Sequence, residues 1–489
     1  MSTATRRLIQ GGGLTALALL VGALVMPEGA LAHGVLLEKR DLPIPEWLFA
    51  WAASLVLIVS FAGLSVAWKT TRFEGEHWRP LSPTLSKVLV GPPVQLLAGL
   101  FSIALLVLVV YAGIEGTMDP SRNFALTFVF VTFYLGMVGA SVLFGDVFRA
   151  LNPWRAIART FAAIFKLIAG REARVPLPYP ERLGRWPAGV GLIAFSWFEL
   201  VYSSGINAAG ILPSDVADAA LIYTGYTLLA MALFGTDTWL DRGETFSVYF
   251  GMFASLSAFE VRGGRLGLRR VLSGATRWAT HPGSIALVLT TIGVTAFDGS
   301  QEGVLADGLT VTFEWFRDRG LDNIAAYRVS STVWMLAWIG VVSALYWGGV
   351  AGMHTVRSGR STRELGRLFA HSFIPIALAY VVAHYFTLFV YLEQAQFGFI
   401  LSDPLGDGSD LFGTADNGID YGLLGAAEVW YVQVAALVVG HVTALILGHD
   451  RALAVYDDAR RAARSQYWML ALMVGFTSLG LFLLSQANA

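Results

Sequence analysis

Long apolar stretches alternate with short polar connections along most of the chain. A first, shorter stretch runs from about Leu14 to Val25, and ten later ones reach the length of about 20 residues that crosses a membrane core. The pattern predicts an all-α fold, a polytopic helical bundle of about ten transmembrane helices that forms one membrane domain over residues 33–489. The spans are predicted near 44–68, 94–114, 124–144, 186–203, 216–235, 283–299, 329–353, 368–394, 428–448 and 467–486.

Residues 1–32 have the pattern of a signal peptide. Arg6 and Arg7 precede the first apolar run, and the small-residue site Ala30-Leu31-Ala32 follows it. Cleavage after Ala32 would leave His33 at the mature N-terminus. The alternative is an uncleaved first helix.

Composition supports the membrane assignment and removes several kinds of chemistry. Hydrophobic residues make up 55% of the 489 and charged residues only 14%, whereas soluble domains carry roughly a quarter charged residues. The net charge is -1 and no basic nucleic-acid patch is present. Because the chain has no cysteine, disulfides, thiolate metal sites, iron–sulfur ligation and a cysteine nucleophile are excluded.

The distribution of Lys and Arg predicts the orientation of the bundle. One alternating set of connections holds 26 of these residues and the other set holds 6. By the positive-inside rule the first set is cytoplasmic, so the mature N-terminus and the C-terminus are predicted outside a bacterial cytoplasmic membrane.

Two segments on the predicted inner side form a weak internal repeat. "VFRALNPWRA" (147–156) and "MFASLSAFEV" (252–261) share the core F-x-x-L-[NS]-x-[WF]. Both segments are predicted to be amphipathic helices lying at the membrane interface.

Four predicted outgoing helices carry an acid near their outer end. The acids are Glu115, Glu199, Asp298 and Glu393. Carboxylates within spans are costly and indicate a function by default, although the positive-inside bias also leaves acids at outer ends. Glu199 and Asp298 are the sharpest candidates, because uninterrupted apolar residues precede each of them.

The histidines differ in the depth in the membrane at which they are predicted to lie. His77, His281, His354 and His449 fall in or beside inner connections and are predicted to be solvated. His371 and His441 lie at similar inner depth, where they are either hydrogen-bonded core residues or the two axial ligands of a haem b.

The eighth span carries a polar stripe that points to an outer site. Tyr380, His384, Thr387 and Tyr391 recur at helical spacing on an otherwise apolar helix, and lipid cannot satisfy their polar groups. His384, Glu199, Asp298 and His33 together offer ligands for Zn, Mn or Cu, and a bound metal would activate water for hydrolysis. The catalytic candidates are therefore Glu199, Asp298 and His384, and the metal-ligand candidates add His33.

Two further observations on the sequence do not indicate a function. The acidic, glycine-rich segment 402–422 does not have the carboxylate spacing of an EF-hand and is predicted to be a solvated loop. The chain also lacks a P-loop, a dinucleotide-binding glycine fingerprint, a nucleophile elbow and an H-E-x-x-H motif.

Several stretches together resemble one family. They are "AHG…DLPIPEWLFAWAASLVLIVSF" (32–61), "GDVFRALNPWRAI" (145–157), "RGETFSVYFGMFASLS" (242–257), "VTAFDGS" (294–300) and "PIALAYVVAHYF" (375–386). They resemble bacterial, mainly actinobacterial, polytopic membrane proteins named fenitrothion hydrolase, over most of the chain. The resemblance implies hydrolysis of organophosphorus triesters and assigns no catalytic residue.

Three functions follow as expectations. The first is a membrane hydrolase of organophosphorus triester-like substrates with a metal-activated water at the outer face. The second is a transporter or permease with an outward acidic cavity, and the third is a copper- or haem-handling subunit of a membrane redox assembly. The expected partners are membrane lipids and a second membrane subunit, with no nucleic acid.

Overall fold

The computed structural model describes residues 46–171, 176–202, 210–301, 303, 305–356 and 358–487. The predicted signal peptide, its cleavage site and His33 lie outside these residues.

The described chain is almost entirely helical. The helices are α1 (Glu46–Ala67), α2 (Pro83–Val90), α3 (Pro92–Glu115), α4 (Phe124–Phe144), α5 (Phe148–Leu151), α6 (Pro153–Ala169), α7 (Trp186–Trp197), α8 (Pro213–Phe234), α9 (Thr236–Arg242), α10 (Thr245–Ala254), α11 (Ser284–Asp298), α12 (Ala306–Arg317), α13 (Asn323–His354), α14 (Thr362–Phe369), α15 (Ile374–Ala395), α16 (Ala426–Val455) and α17 (Ala459–Ala487). Three short strands, β1 (Arg79–Pro80), β2 (Phe259–Arg262) and β3 (Arg265–Leu268), form an antiparallel sheet in the order β1-β3-β2. The predicted all-α membrane bundle is confirmed.

Within the described residues, eight helical segments are long and apolar enough to cross a membrane, and they coincide with eight of the ten predicted spans. The other two predicted spans are helical but shorter. The span predicted at 283–299 is α11, whose 15 residues extend about 22 Å, less than the ~30 Å of a hydrocarbon core. The span predicted at 186–203 is the 12-residue α7 followed by a π-helical turn, Phe198–Tyr202.

The chain divides into two compact units. Of the described residues, the first comprises those of 46–74, 288–386 and 424–487, and the second comprises those of 75–287 and 387–423. Helices α11 and α15 each contribute residues to both.

The first unit is a bundle around α17. Helix α17 packs against α1, α13 and α16, α16 also packs against α1, and the amphipathic α12 packs along α13. Leu55 and Val59 on α1 are among the apolar side chains left exposed, as lipid contact requires.

Asp450 ties the end of α16 to the chain that follows α1. Its buried carboxylate accepts hydrogen bonds from Trp68 Nε1 at 3.1 Å and from the backbone N–H groups of Arg72 at 2.6 Å and Phe73 at 2.9 Å. The neighbouring His449 is 1% exposed, and its Nε2 contacts the carbonyl oxygen of Trp68 at 3.1 Å. The prediction that His449 is solvated is therefore wrong, because α16 continues past the predicted span end and buries it.

The second unit has an aromatic core built on α4, α7 and α10. The ring of Phe133 lies 4.8 Å from that of Phe246 and 5.4 Å from that of Phe250. Helix α3 packs beside it against α6 and α8. Segment Phe128–Gly136 of α4 is π-helical, which gives this part of the unit an irregular backbone.

Two conspicuous sequence motifs of the second unit are helix caps that meet. In "NPWR", Asn152 Oδ1 accepts the N–H of Arg155 at the start of α6. In "GETF", the Glu244 carboxylate accepts the N–H groups of Phe246 and Ser247 at the start of α10. Asn152 Nδ2 donates to Glu244 Oε2 at 3.1 Å, so the two buried caps hold two helix N-termini together.

The weak repeat does not give two copies of one structure. The first segment forms α5 and the start of α6 and is therefore helical, as predicted. The second segment ends α10 and then enters β2, which pairs with β3 across Gly263 and Gly264. The prediction of a helix over 252–261 holds only as far as Ala254 and is wrong from Phe259 onward, because Gly263 and Gly264, both at positive φ, form a hairpin turn.

Candidate functional site

Helix α11 brings an acidic residue into the interior of the first unit. Nearly every residue from Val288 to Phe297 is buried, and Asp298 ends the helix. Thr295 Oγ1 donates to the carbonyl oxygen of Thr291 at 3.0 Å, which satisfies this hydroxyl within the helix. The acidic group that this buried helix brings inward is the Asp298 carboxylate at its end.

Asp298 is held by three side chains. Its Oδ2 lies 2.8 Å from His384 Nε2 and accepts the hydroxyl of Tyr385 at 2.9 Å, while its Oδ1 accepts Gln301 Nε2 at 3.3 Å. An ionised carboxylate only accepts hydrogen bonds. When His384 is neutral, this contact therefore fixes its proton on Nε2 and leaves Nδ1 as an acceptor.

The free edge of His384 lies at a small cleft. A Cβ atom added to Gly299 would stand 3.3 Å from His384 Nδ1, and both residues line the cleft. The cavity volume is about 20 Å³, which is room for about one water molecule and far less than the ~300–1,000 Å³ of ordinary ligand sites. Its wall comprises Thr295, Ala296, Gly299, Tyr380, Ala383, His384, Leu437, Gly480 and Leu483.

The chemistry of the cleft is concentrated in His384. Tyr380 donates its hydroxyl to the carbonyl oxygen of Phe476 at 2.7 Å, so that group is already engaged. The rest of the wall is apolar or glycine, apart from Thr295. A carboxylate-oriented imidazole facing a small, mainly apolar cleft is suited to proton transfer.

The predicted polar stripe is divided between the units. Tyr380 and His384 belong to the first unit, and Thr387 and Tyr391 belong to the second. Tyr391 donates to the carbonyl oxygen of Tyr421 at 3.4 Å, within the second unit.

The other candidate acids lie in the second unit. Glu199 lies in the π-helical turn after α7, Glu115 is exposed at the end of α3, and Glu393 accepts the hydroxyl of Thr132 at 3.1 Å. Glu199 therefore stays a candidate by sequence alone, and it is Asp298 and His384 that the structure brings into contact.

Within the described residues, the structure does not assemble a full set of ligands for the predicted metal. Among them, no group of three or more His, Asp or Glu side chains is placed to hold one ion. Asp298 and His384 supply two ligands, whereas a catalytic zinc site ordinarily has three from the protein. Since His33 lies outside the described residues, metal binding stays a prediction.

The two inner histidines occupy different levels of the first unit. Ser372, the neighbour of His371, lies beside Gly448 of α16, whereas His441 lies beside the ring of Tyr380. Gly448 and His441 are seven positions apart, about 10 Å along the helix axis. This geometry gives no support to one haem held between His371 and His441.

The acidic segment 402–422 is an ordered turn in which two carboxylates serve the backbone. Asp403 accepts the N–H groups of Asp407 and Gly408, and Asp410 accepts those of Thr414 and Ala415. These hydrogen bonds explain the acidic composition without a bound cation.

Sequence reasoning missed Tyr385 and Gln301. Tyr385 follows His384 directly but lies off the i, i+4 stripe, so it reads as an apolar aromatic. Gln301 lies three residues after Asp298, just past the helix end. The adjacent "HY" pair in an apolar helix is the signal that was available.

Comparison with known proteins identifies no relative. No family model matches the chain, and neither a curated protein nor a solved structure matches it. A functional conclusion has to come from the chemistry of the Asp298–His384 site.

Proposed function

We propose that this helical membrane protein is a hydrolase in which His384, oriented by Asp298, is the general base that activates water. The observation that carries the proposal is the 2.8 Å contact between His384 Nε2 and Asp298 Oδ2, beside a cleft lined by the same imidazole. Hydrolysis agrees with the resemblance of five sequence stretches to the fenitrothion hydrolase family.

Each residue of the site has a distinct task. Asp298 accepts a hydrogen bond from His384 Nε2–H and stabilises the imidazolium that forms during reaction, as the carboxylate does in other acid–histidine pairs. Tyr385 and Gln301 position the carboxylate by donating to its two oxygens. His384 Nδ1 takes a proton from water in the cleft.

The reaction balances without a covalent enzyme intermediate. Water loses one proton to His384 Nδ1, and its oxygen forms a bond to the phosphorus of a triester. The bond from phosphorus to the leaving oxygen breaks, and the leaving group departs with the electron pair. His384 then returns its proton to the leaving group or to water.

The cleft has room for the attacking water, and its wall favours a neutral and partly apolar ester lying at its mouth. Ala296, Ala383, Leu437 and Leu483 form much of its wall, and no cation from the described residues lines it. A small organophosphorus triester has these properties, whereas a charged phosphate ester would find no counter-charge there.

Hydrolysis is tested with purified protein in lipid nanodiscs. The substrates are 4-nitrophenyl dialkyl phosphates and phosphorothioates, and release of nitrophenolate is followed by absorbance. His384→Gln and Asp298→Asn are each expected to lower kcat/KM by about 10²–10⁴, the usual contribution of a general base. The matched control is His354→Gln, at an exposed histidine that ends α13. Absence of turnover by the wild-type protein, or turnover untouched in both site variants, would overturn the proposal.

Chelation distinguishes a metal-dependent mechanism from the general-base mechanism. The general-base route predicts that dialysis against a chelator leaves turnover unchanged. Loss of turnover that Zn, Mn or Cu restores would instead place a metal-activated water at the site.

A transporter is the second candidate, and the short helix α11 is the observation that favours it. Interrupted helices that end at an internal polar site are a recurring feature of secondary transporters. Substrate uptake into proteoliposomes without hydrolysis would favour this function over the first.

A further inference from the structure

Three interior histidines of the first unit share one hydrogen-bonding arrangement. His441 Nδ1 contacts the carbonyl oxygen of Leu437 at 2.7 Å, and His449 Nε2 contacts that of Trp68 at 3.1 Å. The ring of His371 is hydrogen-bonded to the backbone at Leu368. In each case the other ring nitrogen is buried and has no hydrogen-bond partner: Nε2 of His371, Nε2 of His441 and Nδ1 of His449.

Three unpartnered ring nitrogens in one unit require an explanation. A buried polar group left without a partner costs about 1–3 kcal/mol, and such groups in proteins are ordinarily paired with protein or with ordered water. Side-chain packing alone does not account for them, because an apolar residue at each position would avoid this cost. A hydrated interior that uses these nitrogens does account for them.

The three histidines form a series that starts at the cleft. His441 lies next to the cleft: its ring centroid is 6.3 Å from that of the lining residue Tyr380, and Leu437, one turn earlier on α16, also lines the cleft. His449 lies eight residues further along the same helix, about 12 Å towards its C-terminal end. His371 lies in a short 3-10 segment that packs on α16, where its neighbour Ser372 lies beside Gly448.

Helix α17, which packs on α16, carries further buried polar side chains. Gln466 Oε1 approaches Gly448 from α17, and Gln466 Nε2 donates to Ser465 Oγ at 3.3 Å. Thr477 and Ser478 are buried further along α17. Such groups are rare in lipid-facing positions and are hydrogen-bonded or hydrated when they lie inside a bundle.

Charged groups mark the far end of the series. Asp450 and Arg451 follow His449 on α16, and Arg451 Nε lies 3.0 Å from Glu74 Oε1. Burial raises the pKa of Glu74, and Arg451 opposes this rise. Lys69 also contributes its charge near His449. By the positive-inside count this end faces the cytoplasm.

We propose that His441, His371 and His449 line a hydrated proton path that joins the cleft at His384 to the Glu74–Arg451 end of the first unit. Each imidazole takes a proton from a water molecule at its free ring nitrogen and returns it to the next water. The net change is the transfer of one proton, whose charge is balanced in the assay by potassium moving in the opposite direction. The path does not depend on the hydrolytic proposal, since it requires no ester.

Proton flux into liposomes tests the path directly. The full chain is reconstituted with a pH-sensitive dye inside, and an outward potassium gradient with valinomycin drives proton entry. Wild-type protein is expected to acidify the lumen faster than protein-free liposomes do. His441→Gln and His371→Gln are expected to reduce the rate to the protein-free level, while the exposed His354→Gln keeps the wild-type rate.

Two variants at separate positions keep the test decisive, because the second gives the answer if the first does not fold. Folding is checked by size-exclusion chromatography before reconstitution. The path is refuted if wild-type flux equals the protein-free rate, or if a folded His441→Gln or His371→Gln protein conducts like wild type. Flux without nitrophenolate release would support the path while removing the hydrolase proposal, so the two failures are distinguishable.

Discussion

The reactivity proposed for His384 depends on access to its Nδ1, and Gly299 is the residue that leaves this access open. A Cβ at this position would meet Nδ1 at 3.3 Å and Cε1 at 3.4 Å, whereas the Asp298 contact lies on the opposite side of the ring. The cleft thus requires a residue without a side chain next to the proposed base.

Gly299→Ala is therefore expected to lower kcat/KM for nitrophenyl triesters while the protein stays folded. The methyl group occupies the place of the attacking water and leaves the Asp298–His384 contact intact. The matched control is Gly340→Ala on α13, where an added Cβ meets no atom within 4 Å. Equal activity of the two variants would show that water does not approach His384 from this side.

Tyr385 acts on the reaction through Asp298. Loss of a hydrogen bond to a charged group costs about 1.5–3 kcal/mol, so Tyr385→Phe is expected to lower kcat by about 10- to 100-fold with little change in KM. In an Asp298→Asn background the same substitution is expected to cost almost nothing further. A full, additive loss in that background would mean that Tyr385 has a role independent of Asp298.

At the scale of elements, the linked caps of α6 and α10 are the strongest local determinant in the second unit. Glu244→Ala removes the cap of α10 and also one of the two acceptors of the Asn152 amide, the other being Ser247 Oγ. We expect the free energy of unfolding to fall by about 2–4 kcal/mol. The exposed cap Ser361 of α14 makes only local hydrogen bonds, and Ser361→Ala should cost about 1 kcal/mol.

This comparison is measured as the folded fraction that survives heating, read by size-exclusion chromatography in detergent. A loss in Glu244→Ala no larger than in Ser361→Ala would show that the contact between the two caps contributes no stability.

Hydropathy predicts helices well where the length of an apolar run is enough to identify a membrane span. It placed α1, α3, α13 and α16 because each has an apolar run that spans a membrane. It overestimated α11, since an apolar run of this kind is equally compatible with a short helix buried inside a bundle. The β2–β3 hairpin was missed because the repeat with 147–156 favoured a helix over the Gly263–Gly264 turn.

At the scale of the whole molecule, the sequence predicts the depth of a side chain in the membrane but not which other side chains lie beside it at that depth. Asp298 and His384 were predicted at one outer level, and they are in contact. Glu199 was predicted at the same level, yet it belongs to the other unit. Depth follows from hydropathy and charge bias, whereas neighbours within a level depend on helix packing that no single-sequence pattern encodes.

The predicted orientation is open to a clean chemical test because the chain has no cysteine. A single Asp416→Cys protein is expected to react with a membrane-impermeant maleimide in intact cells, since segment 395–427 carries no Lys or Arg. An Arg360→Cys protein is expected to react only after the cells are opened. The reverse pattern would invert the topology and place the cleft on the cytoplasmic side.

The most direct test of the central claim is a double-mutant cycle on hydrolysis by purified protein, using wild type, Asp298→Asn, His384→Gln and the double variant. If the two residues act as one general base, each single variant loses about 10²–10⁴ in kcat/KM and the double variant loses little more. Losses that multiply, or a wild-type rate no faster than the buffer reaction, would contradict the assignment of Asp298 and His384 as one catalytic pair.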